Sequence, residues 1–273
     1  MALPGHEPAY RTGLGEAYFV DSLVVLDALP ANRVNLAATS PPVAVQRKKE
    51  YGNREQVEYV NWLAEFARRV YRVLKTDGSF VLDLGGSCER GIPSRGHYNF
   101  RVPIKMCDEL GFFLAEDVYG YNPSKLQGTI EWVNTRKIRA KDNGGAIPSN
   151  LLQIPNTESN GQYLNGCKAT GAKQYPARFP VNPPEFFLRF LTEPGDVVLD
   201  ILAGSNTTGS AAEGIERRWM AFEESREYIV SSGFRFLRKG VGSETMRAIY
   251  DDLAAGRPVD LSPYVAPAQM RLR

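Results

Sequence analysis

The stretch VVLDILAGSNTTG, Val197 to Gly209, constrains the fold most. An apolar β-like run ends at Asp200, a turn of small residues follows (Ala203, Gly204, Ser205), and Asn206, Thr207 and Thr208 stand at a helix start. Small residues let a ligand approach the backbone closely, and the first N–H groups of a helix favour an anionic group. The chain lacks the G-x-G-x-x-G dinucleotide fingerprint, and the Gly-Lys-Ser/Thr of a P-loop is missing too. Glu223 lies 20 residues after Ala203, at the end of the next expected strand, where a carboxylate can bridge ribose hydroxyls. Together these features suit S-adenosylmethionine and, in part, NAD. The plain alternative is a capped strand–helix turn with a surface Glu.

The same alternation extends along most of the chain. Short strands are expected in YFV before Asp21, in RVNLAATS, SFVLDLGG and FFLAEDVYGY, and in RRWMAFEE. Between them lie helical patterns. Val57, Val60, Leu63, Phe66, Ala67, Val70 and Leu74 recur at helical spacing until Asp77-Gly78, and VPIKMCDEL stops at Gly111. NPPEFFLRFLTE and SREYIVSSGFRFLRKG complete the set. Strands alternating with helices imply parallel pairing and an α/β architecture. Residues 1–16 read as a loose N-terminal segment, and 122–175, rich in Asn, Gly, Pro and Lys, as a loop-rich insertion. Residues 17–121 and 176–260 read as two halves of one domain, with 261–273 as a tail.

Composition narrows the function classes. The net charge of +2 excludes a polycation, so a nucleic-acid footprint must be a local patch. Cys88, Cys107 and Cys167 are widely spaced, as are His6 and His97, and no metal-ligand spacing occurs, so no metal is expected. No signal peptide or membrane-length apolar run is visible, and the expected location is the cytoplasm, with no membrane partner.

A second chemical feature is TSPP. Ser40, Pro41 and Pro42 follow the strand VNLAAT. The C-terminal edge of strands is where ligands sit in open α/β sheets. Proline fixes φ and removes N–H donors, so the turn is stiff and presents carbonyl oxygens. A hydroxyl and a rigid carbonyl can accept two hydrogen bonds from one primary amine. No His or Lys adjoins Ser40, which gives no support to an acyl-transfer nucleophile. A Pro-rich turn without chemistry is the plain alternative.

TSPP and GSNTTG, with QRKKEYGN, DGSFVLDLGG, YNFRV, NPSK, IEWVN, KDNGG, PARFP and the FE that contains Glu223, resemble in this order the amino-group DNA methyltransferases of the cytosine-N4 class. The resemblance covers nearly the whole chain, Asp21 to Phe236. It implies a Rossmann-like S-adenosylmethionine-dependent sheet with permuted motif order, the catalytic motif preceding the cofactor loop. It implies methyl transfer to the exocyclic amine of a cytosine flipped out of double-stranded DNA, within a restriction–modification system. Ser40 and the Pro41 carbonyl would accept the amine hydrogens, with Pro42 and Val43 completing the catalytic turn. Asp200, Ala203, Gly204, Ser205, Asn206 and Thr207 would form the cofactor loop, with Glu223 on the ribose, Asp21 near the adenine, and Phe179 and Pro180 on the methionine side. Arg47, Lys48 and Lys49, and a second cluster of Arg136, Lys137, Arg139 and Lys141, would meet DNA phosphates; as plain charges they would form a solvated face. Residues 122–175 would carry target recognition. An adenine-N6 enzyme and a non-catalytic DNA-binding relative are the alternatives.

Three departures from the family pattern stand out. Val43 occupies the place of an aromatic that stacks on the extruded base, a contact worth roughly 1–3 kcal/mol. Tyr175 replaces a His before PARFP, and Ala203 replaces a Gly, where an αL backbone would be strained. KIRAKD runs directly into NGGAIP where the pattern has about fifty more residues, which shortens the recognition segment.

Overall fold

The computed structural model of the protein describes residues 3–43, 56–86, 95–122, 125–134, 150–153, 161–178 and 180–265. In chain order the elements are β1 (Tyr10–Arg11), β2 (Gly15–Phe19), α1 (Ser22–Val25), β3 (Val34–Thr39), α2 (Gln56–Val73), β4 (Leu74–Leu84), α3 (Tyr98–Leu110), β5 (Phe113–Asn122), β6 (Lys125–Asn134) and β7 (Leu151–Gln153). They continue with α4 (Gln162–Thr170), α5 (Asn182–Leu191), β8 (Val197–Asp200), α6 (Thr207–Gly214), β9 (Arg218–Glu223), α7 (Arg226–Ser232), α8 (Ser243–Ala254) and β10 (Val259–Asp260). The chain divides into two compact units, residues 1–29 with 156–273, and residues 30–155.

In the first unit the strand order is β10-β1-β2-β9-β8. The β2–β9 and β8–β9 pairings are parallel, with Phe19 beside Glu223 and Asp200 beside Ala221. The C-terminal ends of β2, β9 and β8 therefore form one edge, where Asp21, Glu223 and Asp200 lie. Tyr10, Tyr18, Phe222 and Phe234 are buried without measurable exposure, and Trp219 stacks on Phe236 with centroids 4.8 Å apart. Burial of several such rings supplies much of the favourable free energy of this core.

In the second unit the order is β3-β4-β6-β5-β7. β3 and β4 are parallel, whereas β6 runs antiparallel to both β4 and β5. The apolar stripe of α2 is buried through Tyr59, Leu63, Phe66, Ala67 and Val70, as its spacing predicts.

The α/β class with mostly parallel pairing matches the expectation, and β3, which leads into Ser-Pro-Pro, precedes β8, which leads into the expected cofactor loop, in sequence. Several local readings need correction. Residues 1–16 are not all loose: Tyr10 pairs with Ala17 and Val259, and Arg11 with Glu16 and Asp260. Residues 122–175 hold β6, β7 and α4. LQGTIEW alternates apolar and polar residues, but Gly and Gln within it weaken the signal. The long helix stops at Val73, because Leu74 pairs with Val34 and the chain continues as β4. Residues 17–29 cluster with the C-terminal unit rather than with 30–155, since β2 hydrogen-bonds β9. The expected tail begins ordered: Leu261 is fully buried, and Leu237 bridges to Val265.

Candidate active site

The residues expected to act fall on strand ends in both units, and each set can be built from its own backbone. In the second unit, Ser40, Pro41, Pro42 and Val43 follow β3. Thr39 pairs in parallel register with Leu82, which places Ser40 beside Asp83 near the end of β4. The Ser40 hydroxyl donates to Asp83 Oδ2 at 3.1 Å. Burial pushes the Asp83 carboxyl up to about 6, against the lowering effect of the Ser40 hydrogen bond. At neutral pH Asp83 is therefore predominantly ionised and can only accept. Ser40 commits its single hydrogen to Asp83 and keeps two lone pairs for another donor.

The turn is backed by Leu84-Gly85-Gly86. Val43 lies on Gly85 so closely that a Cβ there would stand 2.5 Å from Val43 Cγ1. Tyr98, at the start of α3, donates its hydroxyl to the Gly85 carbonyl. Tyr59 of α2 packs edge-on against Tyr98, centroids 5.0 Å apart. A buried aromatic wall thus supports the segment that carries Asp83.

In the first unit, the turn after β8 is shaped from within. Leu202 N–H donates to Asp200 Oδ1 at 3.2 Å. Ala203 N–H donates to the Phe222 carbonyl at 2.9 Å. Gly204 adopts φ +52° and Asn206 the same value, whereas Ala203 is not among the residues with positive φ. The Ala in place of Gly is therefore unstrained, because the left-handed step falls one residue later. Asn206 is fully buried: its Oδ1 accepts from Gly209 N–H at 3.1 Å and its Nδ2 donates to the Tyr10 hydroxyl at 2.9 Å. Both ends of that side chain shape the turn. Ser205 and Thr207 are buried, their hydroxyls 3.4 Å apart.

Glu223 closes the edge. Its Oε2 accepts from Gly204 N–H and its Oε1 from Ser225 N–H, both at 2.8 Å. Burial pushes its carboxyl up to about 7, opposed by these two amides. Each carboxylate oxygen has a second lone pair, so two further hydroxyl donors can be accepted. Asp21 caps α1 through Oδ1 to Leu23 N–H at 2.8 Å and is otherwise exposed. Pro180 is half-buried.

Phe179, Arg47, Lys48, Lys49, Arg136, Lys137, Arg139 and Lys141 lie outside the described residues, as does Cys88. Cys107 and Cys167 are free thiols, both pushed up by burial. Sequence reasoning missed Asp83, although it too is an acid near the end of an apolar strand followed closely by small residues, Gly85 and Gly86, as Asp200 is by Ala203 and Gly204. It also missed Arg235, which donates to the Ser205 carbonyl at 2.8 Å and to the Ser205 hydroxyl at 2.9 Å. Nothing in the sequence marks that contact across 30 residues.

Comparison with known proteins adds a separate finding. A family model described as DNA methylase matches residues 34–142 and 125–232. The chain is 46% identical over 319 residues to the Type II methyltransferase M.PvuII of Proteus hauseri, covering 96% of this chain and 95% of that protein. Since the alignment is longer than this chain, it opens gaps within it, as a shortened segment requires. The first family match ends at Asp142, and the second, beginning at residue 125, runs across that junction. The solved PvuII DNA methyltransferase (cytosine-N4-specific) superposes with a TM-score of 0.86 at 49% identity, covering 94% of this chain and 98% of that one. The complex of M1.HpyAVI with SAM shares the fold at a TM-score of 0.57 and 17% identity, covering 81% and 98%.

Proposed function

The chain belongs to the DNA methylase family, and we propose on that premise that it moves a methyl group from S-adenosylmethionine to N4 of cytosine in DNA, as the modification partner of a restriction system. The observation that carries the chemistry is the Ser40–Asp83 hydrogen bond at 3.1 Å. A cytosine amine is a poor nucleophile while its lone pair is conjugated with the ring. Two acceptors placed on its hydrogens draw it toward tetrahedral geometry and free that lone pair. Ser40 serves as one acceptor because its own hydrogen is held by Asp83, and the Pro41 carbonyl is the other.

S-adenosylmethionine, when bound, supplies an electrophilic methyl group. The first unit fits such a ligand by its donor and acceptor set. The Glu223 carboxylate retains lone pairs for ribose hydroxyls, Asp21 presents an exposed carboxylate, and the turn of Ala203, Gly204 and Ser205 carries only small side chains. When the amine nitrogen gains the methyl carbon it must lose a proton. Ser40 Oγ takes that proton while its own hydrogen passes to Asp83. Asp83, held at about 6, returns it to water at neutral pH. No covalent enzyme–base bond forms, so the thiols have no part.

The target base is flipped out of duplex DNA, since its amine is otherwise paired and stacked. Arg47, Lys48 and Lys49 grip phosphates beside it, and the 122–175 segment with its basic cluster reads the target. The deciding experiment supplies tritiated S-adenosylmethionine and unmethylated duplex DNA, followed by base analysis. N4-methylcytosine is expected. Label in N6-methyladenine selects the adenine alternative, and DNA binding without incorporation selects a non-catalytic relative.

A further inference from the structure

Tyr175 is absent from every role assigned above, yet it lies on the cofactor turn. Its Cε1 stands 2.7 Å from where a Cβ on Gly204 would be, so the ring occupies the space that glycine leaves open. The ring is steadied edge-on by Tyr228 of α7, centroids 4.9 Å apart. Its backbone N–H donates to the Tyr163 hydroxyl at 2.7 Å, and its carbonyl accepts from Arg178 at 3.2 Å.

These contacts close into a circuit. The Tyr163 ring carries the Arg235 guanidinium 4.9 Å from its centroid. Arg235 donates to the carbonyl and the hydroxyl of Ser205, the neighbour of Gly204. Gly204 N–H donates to Glu223 Oε2. The turn is thus clamped on one side by a cation held over Tyr163 and on the other by the Tyr175 ring, and Tyr163 anchors both. A ligand-binding turn fixed before binding loses less conformational freedom on binding.

We propose that Tyr175 is a positioning residue for S-adenosylmethionine, its ring seated on Gly204 so that the 203–206 turn is held ready for the cofactor. Its side chain acts through Gly204, while its backbone N–H, which substitution leaves in place, ties it to the circuit of Tyr163 and Arg235. This rests on the methyltransferase reading and goes beyond it by naming a residue that departs from the family pattern. The flat ring, not the hydroxyl, makes the contact, so Tyr175→Phe retains function and Tyr175→Ala loses it.

The test titrates the full chain calorimetrically with S-adenosylhomocysteine and measures KM for both substrates. Tyr175→Ala is expected to weaken binding about tenfold and to raise the KM for S-adenosylmethionine by the same factor. The KM for DNA, and kcat at saturating cofactor, are expected to stay within about twofold, and Tyr175→Phe to match the unmodified protein. A folded Tyr175→Ala that binds as tightly as the unmodified protein overturns the proposal. So does an equal rise in the KM for DNA, which marks a merely structural role. If Tyr175→Ala does not fold, Tyr175→Leu keeps bulk but not the flat ring, and the same selective loss is expected; unchanged affinity in that variant overturns it. Absence of binding by the unmodified protein sinks the methyltransferase reading itself, whereas normal binding with an indifferent Tyr175 sinks only this proposal.

Discussion

Asp83 and Glu223 are two acids at or near strand ends, one in each compact unit, and burial raises both, to about 6 and about 7. Their partners differ. Glu223 accepts from two backbone N–H groups, which can do nothing but donate, one on the turn after β8 and one at the start of α7. Asp83 accepts from a side-chain hydroxyl, which can both give a hydrogen and receive one. The first arrangement fixes a shape and the second permits proton movement. Two carboxylates with nearly the same burial shift are thereby suited to different work, one to holding a ligand and one to chemistry. The shift alone would not have told them apart.

Substitutions can break this contrast, and the largest effect belongs to the mobile hydrogen. Ser40→Ala removes the acceptor and the route for the proton, and turnover should fall by about a hundredfold or more in a tritium-incorporation assay, with cofactor affinity retained. Glu223→Ala should do the reverse. It leaves Gly204 and Ser225 N–H groups without their acceptor and raises the KM for S-adenosylmethionine by about tenfold or more, measurable by titration at fixed DNA. Equal effects of both variants on KM would erase the distinction drawn between the two acids.

The pH dependence sharpens the contrast. A carboxyl raised on folding binds its proton more tightly in the native state, so its contribution to stability is present at low pH and is lost as pH rises through the folded value. Asp83→Asn should therefore be more stable than the unmodified protein at pH 8 by about 3 kcal/mol, an advantage that fades as pH falls through 6 and is gone by about 4. Denaturant midpoints at three pH values test this. Unmodified turnover should decline as pH falls through about 6, because protonated Asp83 no longer holds the Ser40 hydrogen.

If the base is extruded against Val43 as proposed, Val43→Phe offers it a flat face and should lower the KM for DNA about tenfold. Unchanged kinetics would show that Val43 already suffices. The smallest effect expected is that of Ala203→Gly. With no left-handed backbone to relieve there, it should lower stability by only about 0.5–1 kcal/mol through chain entropy and leave the cofactor KM unaltered.

Much of this was legible in order along the chain. Strand–turn–helix alternation announced the α/β class, and TSPP and GSNTTG marked the two chemical turns, because both depend on local backbone chemistry: proline at one, small residues at the other. The hidden parts rest on pairings distant in sequence. Asp83 reaches Ser40 only because β3 and β4 lie side by side, and Tyr10, in a segment that reads as loose, is buried because β1 finds β10 at the far end of the chain.

The family, the two motifs and the type of reaction were therefore determined by residue identity alone, since they depend on which groups stand next to one another along the backbone. Tertiary structure decided which hydrogen each group gives away. The Ser40 hydroxyl points its hydrogen at Asp83 and leaves its lone pairs open, Asn206 becomes a structural bracket when Tyr10 and Gly209 claim its amide, and Ala203 is tolerated because the positive φ falls on Gly204. Hydrogen-bond direction and backbone handedness are settled by neighbours in space, and no reading along the chain contains them.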